Sequence, residues 1–287
     1  MAWQQLIARV PRDRVAEIEG LLELAGAASI ALEDAAETPL FEPLPGETPL
    51  WHEVSIKALF ADDVDLDRVR GIVQAAACAD VRVEPLAATI APARFAPRDF
   101  GNRLWVVSAD DPEPDDGKAV LRLHRGFAFG TGEHPTTALC LDWIASSLEP
   151  CTVVLDYGCG SGILALAALE LGAVRAFAVD NDPQAVAAAK ANAALNDLGE
   201  RIWIGLPEEL PAARFDVILA NILLRPLIEL STLFHERLVT GGRAILSGVL
   251  VEQRTELKRA YEASGFEVEG GAVRDEWIRL DLKKRGV

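Results

Sequence analysis

The chain has 287 residues, 50% of them hydrophobic, with 28 Lys+Arg against 44 Asp+Glu and a formal net charge of −16. The length suggests about two domains, and so acidic a surface disfavours nucleic-acid backbones, which need clustered Lys and Arg to displace counterions. No apolar run reaches the ~18 residues of a membrane span.

The N-terminus lacks a basic stretch followed by an apolar one, so no signal peptide is expected. Cys78, Cys140, Cys151 and Cys159 are scattered. They argue for reduced thiols in a cytoplasm, not for a disulfide frame or a zinc site.

In chain order, "WQQLIARV" reads as a strand. "RDRVAEIEGLLELAG" reads as a helix with Val15, Ile18, Leu21, Leu22 and Leu24 on one face. "ASIALEDA" is a second strand, and the proline-rich "AETPLFEPLPGETPL" a loop. "WHEVSIKALFA" alternates Val54, Ile56 and Ala58 with polar neighbours, as a half-buried strand does. "DDVDLDRVRGIVQAAA" is a helix, with Val64, Leu66, Val69, Ile72 and Val73 as its apolar residues, and "DVRVEPL" a last strand. Strand–helix–strand–strand–helix–strand is the ferredoxin-like pattern, placed at residues 1–88. Residues 89–125 read as an irregular linker containing one short strand, "LWVV".

From residue 126 the pattern becomes an α/β one. The strands are "TVVLDYG", "AFAVD", "IWIGL", "FDVILANI" and "RAILSGV", with helices between most of them. Two final strand-like runs, "FEVEGGAV" and "EWIRLDLKK", are close enough to pair antiparallel. Continuous apolar strands flanked by helices imply a doubly wound, mostly parallel seven-stranded sheet covered on both faces.

The sharpest chemical signal is "VLDYGCGSGIL". A buried strand ends in Asp156, then Gly158, Gly160 and Gly162 alternate with other residues before a helix begins. Dinucleotide enzymes space the third glycine one residue later. The tighter spacing suits a ligand without a pyrophosphate, and S-adenosylmethionine is the expected one. A purely structural turn is the bland alternative. The next strand ends in Asp180, where a carboxylate can accept both ribose hydroxyls. Asp182-Pro183 reads mainly as a helix cap. The fourth strand ends at Asn221, whose amide faces the transferable methyl or the substrate nitrogen, or else merely caps the strand. Base-directed amine methyltransferases place Pro-Pro-aromatic after this position. Here Ile222 and Leu223 follow, which disfavours a flat base as substrate.

Ahead of the sheet lies "RGFAFGTGEHPTT". It lacks the Gly-Lys-Ser/Thr ending of a phosphate loop. His52, His124, His134 and His235 have no partners at metal-ligand spacing, so no metal is expected. His134 is expected to be structural rather than a general base, Pro135 to start a helix, and the loop to cover the methyl donor.

"AFGTGEHPTT", "VLDYGCGSGILALAALELGA", "VDNDPQAV", "ANILLRPL", "LSGVL" and "DEWIRL" together resemble the PrmA family, methyltransferases of a large-subunit ribosomal protein (protein eleven). The likeness runs in order through most of residues 126–287. It implies S-adenosylmethionine-dependent N-methylation of lysine side chains and an α-amine on that basic ribosomal protein. It also implies cofactor contacts at Thr137, Gly158, Asp180 and Asn221, with Asp156 and Gly160 as close supports. Residues 1–88 would then be the substrate-recognition domain and residues 126–287 the catalytic one. A cytoplasmic monomer that touches neither nucleic acid nor membrane is expected. Competing readings are methylation of another protein's lysine, of RNA or of a small molecule, a dinucleotide-dependent oxidoreductase, and a non-catalytic adaptor.

Overall fold

The computed structural model describes residues 3–27, 29–35, 53–61, 64–77, 81–86, 95–112, 114–124 and 132–286. The proline-rich loop after residue 35 and most of the threonine-rich loop, with its expected covering role, lie outside the described residues. Two compact units divide the chain, Met1–Ala91 and Pro92–Val287.

The first unit runs β1 (Trp3–Pro11), α1 (Val15–Leu24), β2 (Ser29–Asp34), β3 (Glu53–Ala61), α2 (Leu66–Ala77) and β4 (Val81–Leu86). Its four strands lie in the order β2-β3-β1-β4, and every neighbouring pair is antiparallel. This is the expected split βαβ arrangement. Alternation puts Leu6, Ala8 and Val10 of β1 and Val54, Ile56, Ala58 and Phe60 of β3 on one buried face. Ile18 and Leu22 of α1 and Val69 and Val73 of α2 close over it. Leu24, expected on the core face of α1, is instead 87% exposed. It falls in the helix's last turn, where the chain is already leaving the sheet.

The second unit begins earlier than residue 126. The segment expected as a linker carries β5 (Arg98–Phe100), β6 (Leu104–Ser108) and β7 (Ala119–Leu123), a small sheet in that order. Phe95, Phe100, Leu104, Val106, Leu121 and Leu123 are buried in the same core as the helices that follow. These residues are therefore a layer of the second unit.

The main body comprises α3 (Pro135–Ser147), β8 (Val153–Tyr157), α4 (Ile163–Glu170), β9 (Arg175–Val179), α5 (Pro183–Leu195), β10 (Ile202–Gly205), β11 (Phe215–Asn221), α6 (Leu224–Arg237), β12 (Leu238–Leu250), α7 (Arg254–Ala263), β13 (Phe266–Arg274) and β14 (Trp277–Lys284). The seven strands are ordered β10-β9-β8-β11-β12-β14-β13. The first five are parallel, and β14 runs antiparallel to both its neighbours.

Successive strand residues serve opposite faces. Val154 joins the core beneath α3, α4 and α5, whereas Leu155 joins the core beneath α6 and α7. Helix α4 is apolar all round, and Ile163 to Leu169 are all buried, as befits a helix covered on every side. On the other face the Tyr261 hydroxyl donates to the Leu227 carbonyl at 2.9 Å and joins α7 to α6.

Candidate active site

Strands β8 and β11 are neighbours in space but not in sequence, and their connections leave toward opposite sides of the sheet. A crevice must form outside the carboxyl ends of such strands, and ligands bind there in open α/β sheets. A cavity of about 560 Å³ occupies that position, within the size range of small-molecule sites. Tyr157 and Gly158 from the end of β8 line it, with Asp180 and Asn181 from the end of β9. Pro207, Ile222 and Leu223 after β11, and Pro226, Glu229 and Leu230 of α6 complete the wall.

The glycine loop is tied down through its backbone. The Gly158 and Cys159 N–H groups both donate to the Val179 carbonyl, at 2.8 and 3.0 Å. Gly160 N–H donates to Asp180 Oδ2 at 2.9 Å, and Asp182 N–H donates to Asp180 Oδ1 at 3.0 Å. Each carboxylate oxygen keeps a second lone pair for a ligand hydroxyl. Asp182 caps α5 as expected, accepting from Gln184 N–H at 2.8 Å ahead of Pro183.

Asp156 is placed differently from Asp180. It is 1% exposed and lies beneath the loop, off the cavity wall. Its Oδ2 accepts from Ala165 N–H at 3.1 Å, so it satisfies an orphan donor in the first turn of α4. Gly162, the residue before that helix, has no side chain to do so. Burial, with help from the Asp180 charge, pushes the Asp156 carboxyl up to about 7 from 3.8.

A carboxyl raised on folding holds its proton in the native state after the unfolded chain has lost it. Its stabilising contribution is therefore complete below 3.8 and is lost as pH rises toward about 7. A side-chain amide at this position would keep the acceptor without the titration. The expected result is that Asp156→Asn gains stability relative to wild type as pH is raised across that window. Thermal unfolding curves at pH 5 and pH 8 check this; parallel shifts in the two proteins would refute it.

At the end of β11, Asn221 Nδ2 donates to Thr137 Oγ1 at 3.1 Å, joining the strand to the first turn of α3. That bond fixes the amide's orientation. Its Oδ1 is buried and has no partner among the described residues. A buried acceptor left unmade costs about 1–3 kcal/mol, and such orphans mark a place where a donor is expected from outside the protein.

The residue after Asn221 is held from two sides. A Cβ on Gly158, whose φ is +77°, would lie 2.3 Å from Ile222 Cγ2. A Cβ on Gly248, φ +87°, would lie 2.5 Å from the Ile222 carbonyl oxygen. Gly248 sits where the register of β12 on β14 shifts. Two glycines thus admit Ile222 to the sheet end and set the exit of the chain from Asn221.

His134 caps α3 ahead of Pro135. Its Nδ1 accepts from Thr136 N–H at 3.4 Å and pairs with Thr136 Oγ1 at 2.7 Å. Its ring stands edge-on to Trp277 with centroids 4.9 Å apart. Among the described residues no group of His, Cys, Asp and Glu could hold a metal ion. No helix among them is long and apolar enough to cross a membrane.

Of the expected site residues, Gly158 and Asp180 line the cavity; Gly160 is bonded to Asp180, Asn221 to Thr137, and neither Gly160, Asn221, Thr137 nor Asp156 is among the lining residues. Sequence reasoning missed the contribution of α6, through Pro226, Glu229 and Leu230. Its only signal there is proximity to Asn221.

This strand order, with a glycine loop after β8 and an acidic residue after β9, defines a class I methyltransferase, and S-adenosylmethionine is the methyl donor of that class. The residues fit the donor: the cavity is large enough, and Asp180 on its wall has lone pairs to spare for ribose hydroxyls. The chain belongs to the ribosomal protein L11 methyltransferase (PrmA) family, whose pattern it matches over residues 2–285.

A ribosomal protein L11 methyltransferase of Methylococcus capsulatus is 42% identical, over 97% of this chain and 98% of the relative. One of Chromohalobacter salexigens is 41% identical, over 99% of each chain. The crystal structure of a ribosomal protein L11 methylase from Lactobacillus delbrueckii subsp. bulgaricus is 30% identical. It superposes with a TM-score of 0.61, covering 67% of this chain and all of its own.

Proposed function

We propose that the protein methylates amines of ribosomal protein L11, on lysine side chains and the α-amine, in the cytoplasm. The observation that carries this reading is the buried, unpartnered Asn221 Oδ1, held in place by Thr137. A neutral amine has N–H groups to give this acceptor and a lone pair for attack. The names of the relatives supply the protein substrate, and a chain of net charge −16 complements a basic ribosomal protein.

S-adenosylmethionine, when bound, supplies an activated methyl group on a sulfonium. Asp180 accepts hydrogen bonds from its ribose, and the backbone of Gly158 and Gly160 lets it approach the end of β8. Asp156 supports the loop from below by capping α4. Asn221 and Thr137 orient the incoming amine. A lysine amine has a solution pKa near ~10.4 and must shed a proton before attack. Ile222, Leu223 and Pro226 form an apolar part of the wall that disfavours the charged ammonium, against the Asp180 and Glu229 carboxylates of the same wall, which favour it. Alignment and exclusion of water account for most of the acceleration and supply roughly 7–11 kcal/mol in favourable cases. Residues 1–91 serve as the recognition unit for the substrate protein.

Asp180→Ala removes the ribose acceptor and the partner of Gly160 N–H together. Charge-assisted hydrogen bonds contribute about 1.5–3 kcal/mol. Affinity for S-adenosylhomocysteine, measured by calorimetry, is expected to fall about ten-fold or more. An unchanged dissociation constant would remove Asp180 from the site. The choice of amines is tested with radiolabelled donor and L11 whose amines have first been acetylated. Label is expected on untreated L11 only, and equal label on the blocked protein would point to another acceptor.

A further inference from the structure

Helix α5, rich in alanine, carries Asn192, and Asn196, four residues on, caps its C-terminus. Spacing of four puts both on one face of a helix. That face meets two separate parts of the second unit.

Asn196 completes the edge of β7. Its Oδ1 accepts from Arg122 N–H at 2.8 Å, and its Nδ2 donates to the Arg122 carbonyl at 2.7 Å. A side-chain amide thus stands in for a neighbouring strand, which is one way to cover an unpaired sheet edge.

Asn192 does something more. It is 1% exposed. Its Oδ1 accepts from His124 N–H at 2.9 Å, just past the end of β7. Its Nδ2 donates to the carbonyl of Ser161 at 2.9 Å, inside the glycine loop. One turn earlier on the same face, α5 packs so closely on the loop that a Cβ on Gly162 would lie 3.1 Å from the Ala189 methyl. One buried amide therefore spans from the loop at the cofactor site to the small sheet β5-β6-β7.

We infer that Asn192 is a positioning residue for the cofactor site: its amide holds the Ser161 carbonyl and the His124 backbone in one arrangement, so that binding at the glycine loop and the order of the β5–β7 layer are coupled. The inference rests on the glycine loop being part of the S-adenosylmethionine site. Asp180 fixes Gly160 from one side of the loop and Asn192 fixes Ser161 from the other. The two residues hold peptide units with one unit between them, at adjacent residues of the loop, so release of either changes where the loop presents its backbone. Buried polar networks of this kind are costly when half-satisfied. Asn196 shares the helix face and the β7 contact but has no bond to the loop, which makes it the internal control.

The test compares full-length wild type, Asn192→Ala, Asn192→Asp and Asn196→Ala by calorimetric titration with S-adenosylhomocysteine. Asn192→Asp keeps the size of the side chain and the acceptor for His124 N–H; ionised, it replaces the donor to Ser161 with a charged acceptor, so the titrations are run at pH 8 or above, where a carboxyl raised as Asp156 is has lost its proton. This variant carries the test even where the alanine variant fails to fold. Both Asn192 variants are expected to bind about ten-fold more weakly, the effect of one buried hydrogen bond. Asn196→Ala is expected to lower the melting temperature and leave the dissociation constant unchanged.

Hydrogen exchange at residues 119–124 provides a second readout, because exchange reports local opening. S-adenosylhomocysteine is expected to slow it in wild type and not in Asn192→Asp. Wild-type affinity in Asn192→Asp, or equal weakening in Asn196→Ala, overturns the inference while wild-type binding upholds the cofactor site. Failure of the wild type itself to bind overturns both.

Discussion

Replacing Asn221 with alanine is expected to lower the rate of methyl transfer by about 100-fold, the usual effect of deleting one preorganised polar group beside the reacting atoms. Among the described residues its one side-chain bond is to Thr137 Oγ1, which ties β11 to α3, and its Oδ1 is buried without a partner, so the melting temperature of the variant is measured alongside its rate. Loss of that amide removes the acceptor that orients the amine and leaves a gap for water. The effect should appear in kcat more than in the affinity for S-adenosylhomocysteine, because Gly158, Gly160 and Asp180 stay in place. Single-turnover rates with saturating donor separate the two quantities. An unchanged rate in a variant that binds the cofactor normally would assign the catalytic alignment to other residues.

Removal of residues 1–91 is expected to abolish methylation of the protein substrate and to leave cofactor binding intact. The two units have separate cores. Every cavity-lining residue, together with Thr137 and Asn221, belongs to Pro92–Val287. The first unit offers a four-stranded antiparallel sheet backed by two helices. Calorimetry with S-adenosylhomocysteine and a methylation assay on ribosomal protein L11, run on the same truncated preparation, give the comparison. Continued methylation at the full-length rate would mean that recognition resides in the second unit.

Local chemistry explains what the sequence makes legible. The glycine spacing after β8, the carboxylate ending β9 and the Asp182-Pro183 cap are all features of a few consecutive residues, and each sits where that grammar puts it. The βαββαβ order of the first unit can be read because its strands alternate cleanly, as β3 does from Glu53 to Ala61.

The small sheet before α3 is not legible as part of the second unit. Strand β5 has only three residues, "RDF", and an acidic proline-broken loop separates β6 from β7. What makes it part of that unit is burial of Phe95, Phe100 and Leu121 against helices far along the chain. Asn192 escapes sequence reasoning for the same reason. Nothing beside it in an alanine-rich helix shows that its amide will find Ser161, 31 residues away, and His124, 68 residues away. The seat of Ile222 between Gly158 and Gly248 is also a product of the folded sheet, although all three residues fall within stretches that resemble the family.

The central claim is that this site transfers methyl groups from S-adenosylmethionine to amines of ribosomal protein L11. Mass spectrometry of purified L11 after incubation with the enzyme and donor tests it most directly, with Asn221→Ala in parallel. The account predicts whole-methyl mass increments on L11, mapped to lysines and the N-terminal amine, with production of S-adenosylhomocysteine and little of either with the variant. L11 of unchanged mass, with a wild-type enzyme that binds the cofactor, would contradict it.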